Sequence, residues 1–178
     1  IDLNAITFTN ITTDLGSSNV LLYGKPKVGK STLASQIPNS IFAATEKGYN
    51  FLKVKPKDIN KWEDFLELGV ALTTQKHPFR TVVVDTTDIL YKHCEKYVMD
   101  KHQVNHPSDL GFGKGFSLVR DEFSRVINKV NMAGFGFVFI SHAKEKTEKT
   151  KTGEWTVMGT SLSGSPETFV AGLCDIIL

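Results

Sequence analysis

Arginine and cysteine are scarce in this chain of 178 residues. Three arginines, Arg80, Arg120 and Arg125, stand against 18 lysines, and the only thiols are Cys94 and Cys174. Two thiols far apart in sequence, without zinc spacing or a C-x-x-C pair, exclude a disulfide scaffold and point to reduced, packed cysteines. No apolar stretch approaches the roughly 18 residues that a membrane-spanning helix needs, so no membrane partner is expected. Residues 1–16 are rich in Thr, Asn and Asp and do not read as a signal peptide. A net charge of +2 is too small to mark a nucleic-acid binder by itself. The chain opens on Ile1 rather than Met and closes on an apolar run, which reads as a piece of something longer.

With 40% hydrophobic and 22% charged residues, the composition is that of an ordinary globular domain. A chain of this length buries about 70% of its unfolded surface without staples. A single domain over residues 1–178 is expected, with residues 1–17 as an N-terminal extension.

The sharpest motif is Gly24-Lys25-Pro26-Lys27-Val28-Gly29-Lys30-Ser31, a complete G-x-x-x-x-G-K-[ST] phosphate loop. The apolar run Val20-Leu21-Leu22 reads as a buried strand entering it, and residues 31–36 read as a helix leaving it. Glycines let successive amides curl inward onto phosphate oxygens, and the helix start adds a favourable field. Lys30 is placed to reach the β- and γ-phosphates, Ser31 to hold Mg²⁺, and Thr32 to complete the cradle. A nucleoside triphosphate with Mg²⁺ is therefore the expected ligand, and the loop itself does not choose the base.

A second element is Thr81-Val82-Val83-Val84-Asp85, a β-branched run ending in a carboxylate. Such a run suits a parallel strand covered on both faces, with the acid at the edge where open α/β sheets bind ligands. Asp85 either holds Mg²⁺ or caps the next helix; Thr86, Thr87 and Asp88 are available for capping, which leaves Asp85 for metal. Glu46, two residues past the strand 40–44, is either the group that orients an attacking water or a surface turn residue. His142, which closes the run Phe137-Val138-Phe139-Ile140-Ser141, either contacts the γ-phosphate or packs at a strand end.

Elsewhere the pattern predicts helices over residues 58–74, 87–99 and 116–132, and a short helix opened by Ser165 as cap with Pro166 at its first position. Residues 53–61 read as a lysine-rich solvated connector, 100–115 as a long irregular loop, 143–158 as an exposed β-hairpin, and 175–178 as a last strand. The β-α alternation implies parallel strands with right-handed crossovers.

Together, the phosphate loop, Thr45-Glu46-Lys47-Gly48, Val82-Val83-Val84-Asp85, Gly113-Lys114-Gly115 and Phe139-Ile140-Ser141-His142 resemble the phage-type nucleotide-binding proteins of the AAA-24 group, which look like minimal RecA-like ATPases. The resemblance implies an α/β P-loop NTPase: a mostly parallel RecA-like sheet of order 5-1-4-3-2 flanked by helices, with an exposed hairpin. It implies that Glu46 is the catalytic base and that His142 couples nucleotide state to a DNA-binding loop. Residues 100–115 and 143–159 take the positions of the two DNA-binding loops, where Lys114, Lys144, Lys146, Lys149 and Lys151 would meet phosphates and Trp155 or Phe112 would stack on a base. Lys144 or Lys146 is also a candidate trans-acting finger. Expected partners are single-stranded DNA, a recombination or annealing protein and further copies of the chain, in the cytoplasm of a bacterial host.

Three readings remain at this point: a slow ATPase tied to DNA recombination or repair, a kinase for a small molecule or nucleotide, and a non-hydrolysing switch. The kinase reading is weakened by the lack of an arginine-bearing lid.

Overall fold

Alternation of apolar side chains on the central strands builds two cores, one on each face of a single sheet. Residues 15–150 and 153–178 are described by the computed structural model. The strands are β1 (Val20–Gly24), β2 (Ser40–Ala44), β3 (Pro56–Asp58), β4 (Thr81–Asp85), β5 (Gly136–Thr150), β6 (Gly153–Thr160) and β7 (Ile176–Ile177). The helices are α1 (Lys30–Ala34), α2 (Trp62–Thr74), α3 (Thr87–His102), α4 (Lys114–Met132) and α5 (Ser165–Leu173).

Side chains alternate faces along a strand. Val20, Leu22, Phe42, Val83, Val138 and Ile140 pack with Ala34 of α1 on one face. Leu21, Ala43, Val82, Val84, Phe137 and Phe139 pack on the other, against α2 to α5. Burial on both faces explains why β4 and β5 read as unbroken apolar runs rather than alternating ones. Trp62, fully buried on α2, stacks on Phe123 of α4 and donates its indole N–H to Glu122 at 3.0 Å.

The sheet order is β3-β2-β4-β5-β1-β7, with parallel pairing along this path. With β3 set aside, that is the expected 5-1-4-3-2 order. The addition is a correction: residues 56–58, read as solvated connector, form an exposed edge strand parallel to β2. Pro56 and Lys57 disguised it, and both are what an edge strand tolerates.

Other boundaries moved for local reasons. The helix expected from residue 58 starts at Trp62, because the Asp64 carboxylate accepts from the Asn60 and Lys61 amides (2.8 and 3.1 Å) and fixes the first turn there. The cap of α5 is Gly164, not Ser165, which is already helical. Thr86 is the α3 cap residue but makes no side-chain cap bond. Residues 100–115 are less irregular than expected. α3 runs on to His102, and a 3-10 turn at Pro107–Leu110 is held by Asp109, which accepts from the Asn105 and His106 amides (3.2 and 2.9 Å).

The hairpin is present and continuous with the sheet. β5 passes through its parallel register into an antiparallel pairing with β6, from Ala143↔Thr160 to Thr150↔Gly153. The N-terminal extension lies outside the described residues except for its last positions.

Candidate nucleotide site and its neighbours

Strand register alone brings the candidate residues to one edge. Gly24 stands opposite His142, Asp85 opposite both Ile140 and Ala44, and Glu46 follows Ala44 by two residues. These carboxyl ends surround a cleft of about 490 Å³ lined by the phosphate loop, Glu46, Asp85 and His142.

The loop backbone turns through Lys27 (φ 66°) and Gly29 (φ 99°), both left-handed. That conformation is free for glycine and costly for most side chains, which accounts for Gly29. At Gly24 the demand is space: a Cβ there would sit 3.1 Å from a Val28 methyl. The Lys30 ammonium donates to the carbonyls of Gly24 and Lys25 at 2.8 and 3.0 Å, so the side chain folds back along the loop. Burial lowers its pKa, against the opposing pull of Asp85, Asp88 and Glu46.

Ser31 donates its hydroxyl to the Asp85 carboxylate at 2.7 Å. A hydroxyl and a carboxylate in contact beside a phosphate cradle suit Mg²⁺, which prefers oxygen and takes one or two protein ligands with the rest from phosphate and water. Among the described residues no cluster of three or more His, Cys, Asp or Glu is placed to hold a metal, so phosphate oxygens would have to complete the shell. Burial raises the Asp85 pKa, countered chiefly by the Ser31 hydrogen bond.

Glu46 and His142 meet at the mouth of the cleft, Oε1 to Nε2 at 3.7 Å, both partly exposed. The histidine backbone is held firmly. Its N–H donates to Asp88 at 3.4 Å, and its carbonyl accepts from the Ser161 amide at 2.7 Å. Two residues escaped sequence reasoning. Tyr49 lines the cleft and donates to the Asp85 main-chain carbonyl at 3.4 Å; burial pushes its phenol well above the ordinary range. Asp88, read only as a possible cap, accepts from Ser141 (3.3 Å) and Ser161 instead. Its spacing three residues after Asp85 was the available signal.

The nucleic-acid candidates divide. Lys114 and Lys144 are exposed, and Trp155 is 55% exposed. Register puts positions 144 and 146 on the hairpin face that also carries 155 and 157. The Lys146 ammonium is paired with Glu167 of α5, which also accepts from Thr160 at 3.1 Å. The Lys149 side chain and Lys151 lie outside the described residues.

A glycine-rich phosphate loop between β1 and α1, with an acid at the end of β4 in a parallel sheet, defines a P-loop ATPase domain of the AAA type. The chain belongs to the AAA-24 family, described as an AAA domain, whose profile matches residues 17–178. It is also similar to the SPbeta prophage-derived uncharacterized protein YorG of Bacillus subtilis (strain 168), 30% identical over 134 residues. That match covers 71% of this chain and 41% of YorG, so the chain spans about two fifths of that relative. No helix among the described residues is long and apolar enough to cross a membrane.

Proposed function

We propose that the domain binds ATP with Mg²⁺, hydrolyses it slowly, and couples nucleotide state to single-stranded DNA in phage recombination or repair. The observation that carries the nucleotide half is the Ser31–Asp85 contact beside the phosphate loop, with Glu46 across the same cleft. Lys30 and the loop amides would bind the triphosphate, and Ser31 and Asp85 would hold the ion. Bound Mg²⁺ supplies neutralisation of charge on the phosphate oxygens. Glu46 would orient the attacking water and accept its proton, a role with room in the cleft and a carboxylate to fill it.

The DNA half is supported by exposed Lys114, Lys144 and Trp155, and the phage setting by the similarity to prophage-derived YorG. The phosphate contacts would be salt-sensitive. The test is filter binding of a labelled single strand with and without ATP over a salt series, beside release of free phosphate. Binding at low salt that changes with ATP is expected; no binding at low salt removes the DNA half. Free phosphate without an acceptor is the expected product, and transfer to an added acceptor alone would make the domain a kinase.

A further inference from the structure

A second cleft of about 490 Å³ opens between α3, the first turn of α4 and residues 161–166. Asp88, Tyr91, Lys92 and Glu95, spaced along one face of α3, meet Phe116 and Ser161 around it. Phe116 is 46% exposed, and its ring is steadied by a T-shaped contact with His106 at 5.9 Å. The helix start that carries it is fixed too. A Cβ on Gly115 would lie 2.1 Å from the Pro107 carbonyl oxygen, so α4 and the 107–110 turn are in direct backbone contact. Tyr91 is wedged edge-on against Phe123 at 5.2 Å, and burial pushes its phenol up to about 12, which keeps it neutral.

A half-exposed aromatic ring ringed by carboxylates, hydroxyls and one lysine matches a nucleobase. The flat face stacks, and the amino and carbonyl edge finds acceptors and donors. Two carboxylates against one ammonium in the lining disfavour a phosphate inside, whereas exposed Lys114, two residues from Phe116, stands ready for a phosphate outside.

We propose that this cleft receives one unstacked base of a single strand, stacked on Phe116 and bonded through its edge to the α3 face. The proposal rests on the DNA half of the proposed function and gives that half a place. It also supplies the link to the nucleotide. Asp88 lines this cleft while accepting the His142 N–H and the hydroxyls of Ser141 and Ser161. A base that bonds Asp88 competes with the contacts that position His142, so strand and nucleotide each change the other's affinity, by the same factor.

The experiment uses a fluorescent oligodeoxynucleotide, and a second one bearing 5-iododeoxyuridine for photocrosslinking, on the wild type, Phe116→Ala and Phe116→Tyr. Phe116→Ala is expected to weaken strand binding about tenfold or more, Phe116→Tyr to restore it, and ATP affinity measured without strand to stay unchanged in both. Crosslinks are expected on the peptides that hold Tyr91 or Phe116. Equal strand affinity in Phe116→Ala, or crosslinks confined to the 143–160 hairpin, overturns the cleft while leaving the DNA half standing. A deoxynucleoside monophosphate that blocks the crosslink as well as an unlabelled strand does would make a free nucleotide the ligand and overturn the strand. No strand binding by the wild type at low salt removes the DNA half and the cleft together.

Discussion

Glu46 Oε1 lies 3.7 Å from His142 Nε2, joining the turn after β2 to the point where β5 leaves the parallel sheet for the hairpin. The pair faces the phosphate loop, so any group that enters between the two side chains is felt on both strands. If Glu46 is the base, Glu46→Gln should lower turnover by about 10²–10⁴-fold while ATP binding persists. Phosphate release and ATP titration on the same preparation check this; measurable turnover that survives the substitution removes Glu46 from the chemistry.

Gly29 adopts φ 99° at the position before Lys30. Gly29→Ala has open space around its Cβ, so the penalty is conformational alone. Stability should drop by about 1 kcal/mol, seen as a lower urea midpoint, with a larger loss in ATP affinity because the loop amides no longer converge. An unchanged affinity would show that this backbone geometry is not what holds the nucleotide.

Gly115 and Pro107 are a stricter case. Here the obstacle is backbone against backbone, so Gly115→Ala should cost about 1–3 kcal/mol of stability. Chemical denaturation measures it, and a change below a few tenths would mean the turn yields easily.

His93, half-buried on α3, has its pKa lowered by burial, against the opposing effects of Asp64 and a hydrogen bond to the Ile59 backbone. The unfolded chain therefore holds this proton more tightly than the folded one. Stability associated with His93 is present above its ordinary value near 6.5 and is lost as pH falls toward the lowered folded value. The melting temperature should fall between pH 7 and pH 5, and His93→Gln should flatten that slope. An equal slope in the variant would assign the acid sensitivity to other groups.

Much of the nucleotide cleft was legible because its parts are local. The phosphate loop is contiguous, and Asp85 and His142 sit at the ends of β-branched or aromatic runs that read as buried strands. Parallel pairing followed from the β-α alternation, and the sheet order was implied by the family resemblance alone. What could not be read was set by contacts between distant segments. Asp88 finds Ser141 and Ser161, 53 and 73 residues away, and Lys146 finds Glu167. The edge strand at residues 56–58 has no pattern of its own and exists because β2 offers it a partner. Loop 100–115 looked unstructured by periodicity, yet Asp109 and the Gly115–Pro107 approach organise it through hydrogen bonds and close packing that hydrophobic spacing does not encode.

Calorimetric titration of Mg-ATP into the wild type and into Lys30→Ala tests the nucleotide assignment most directly. Saturable heat with one site in the wild type, a rise in melting temperature with ligand, and loss of both in Lys30→Ala are the expected results. No heat and no thermal shift in the wild type, or equal affinity in the two proteins, would contradict it.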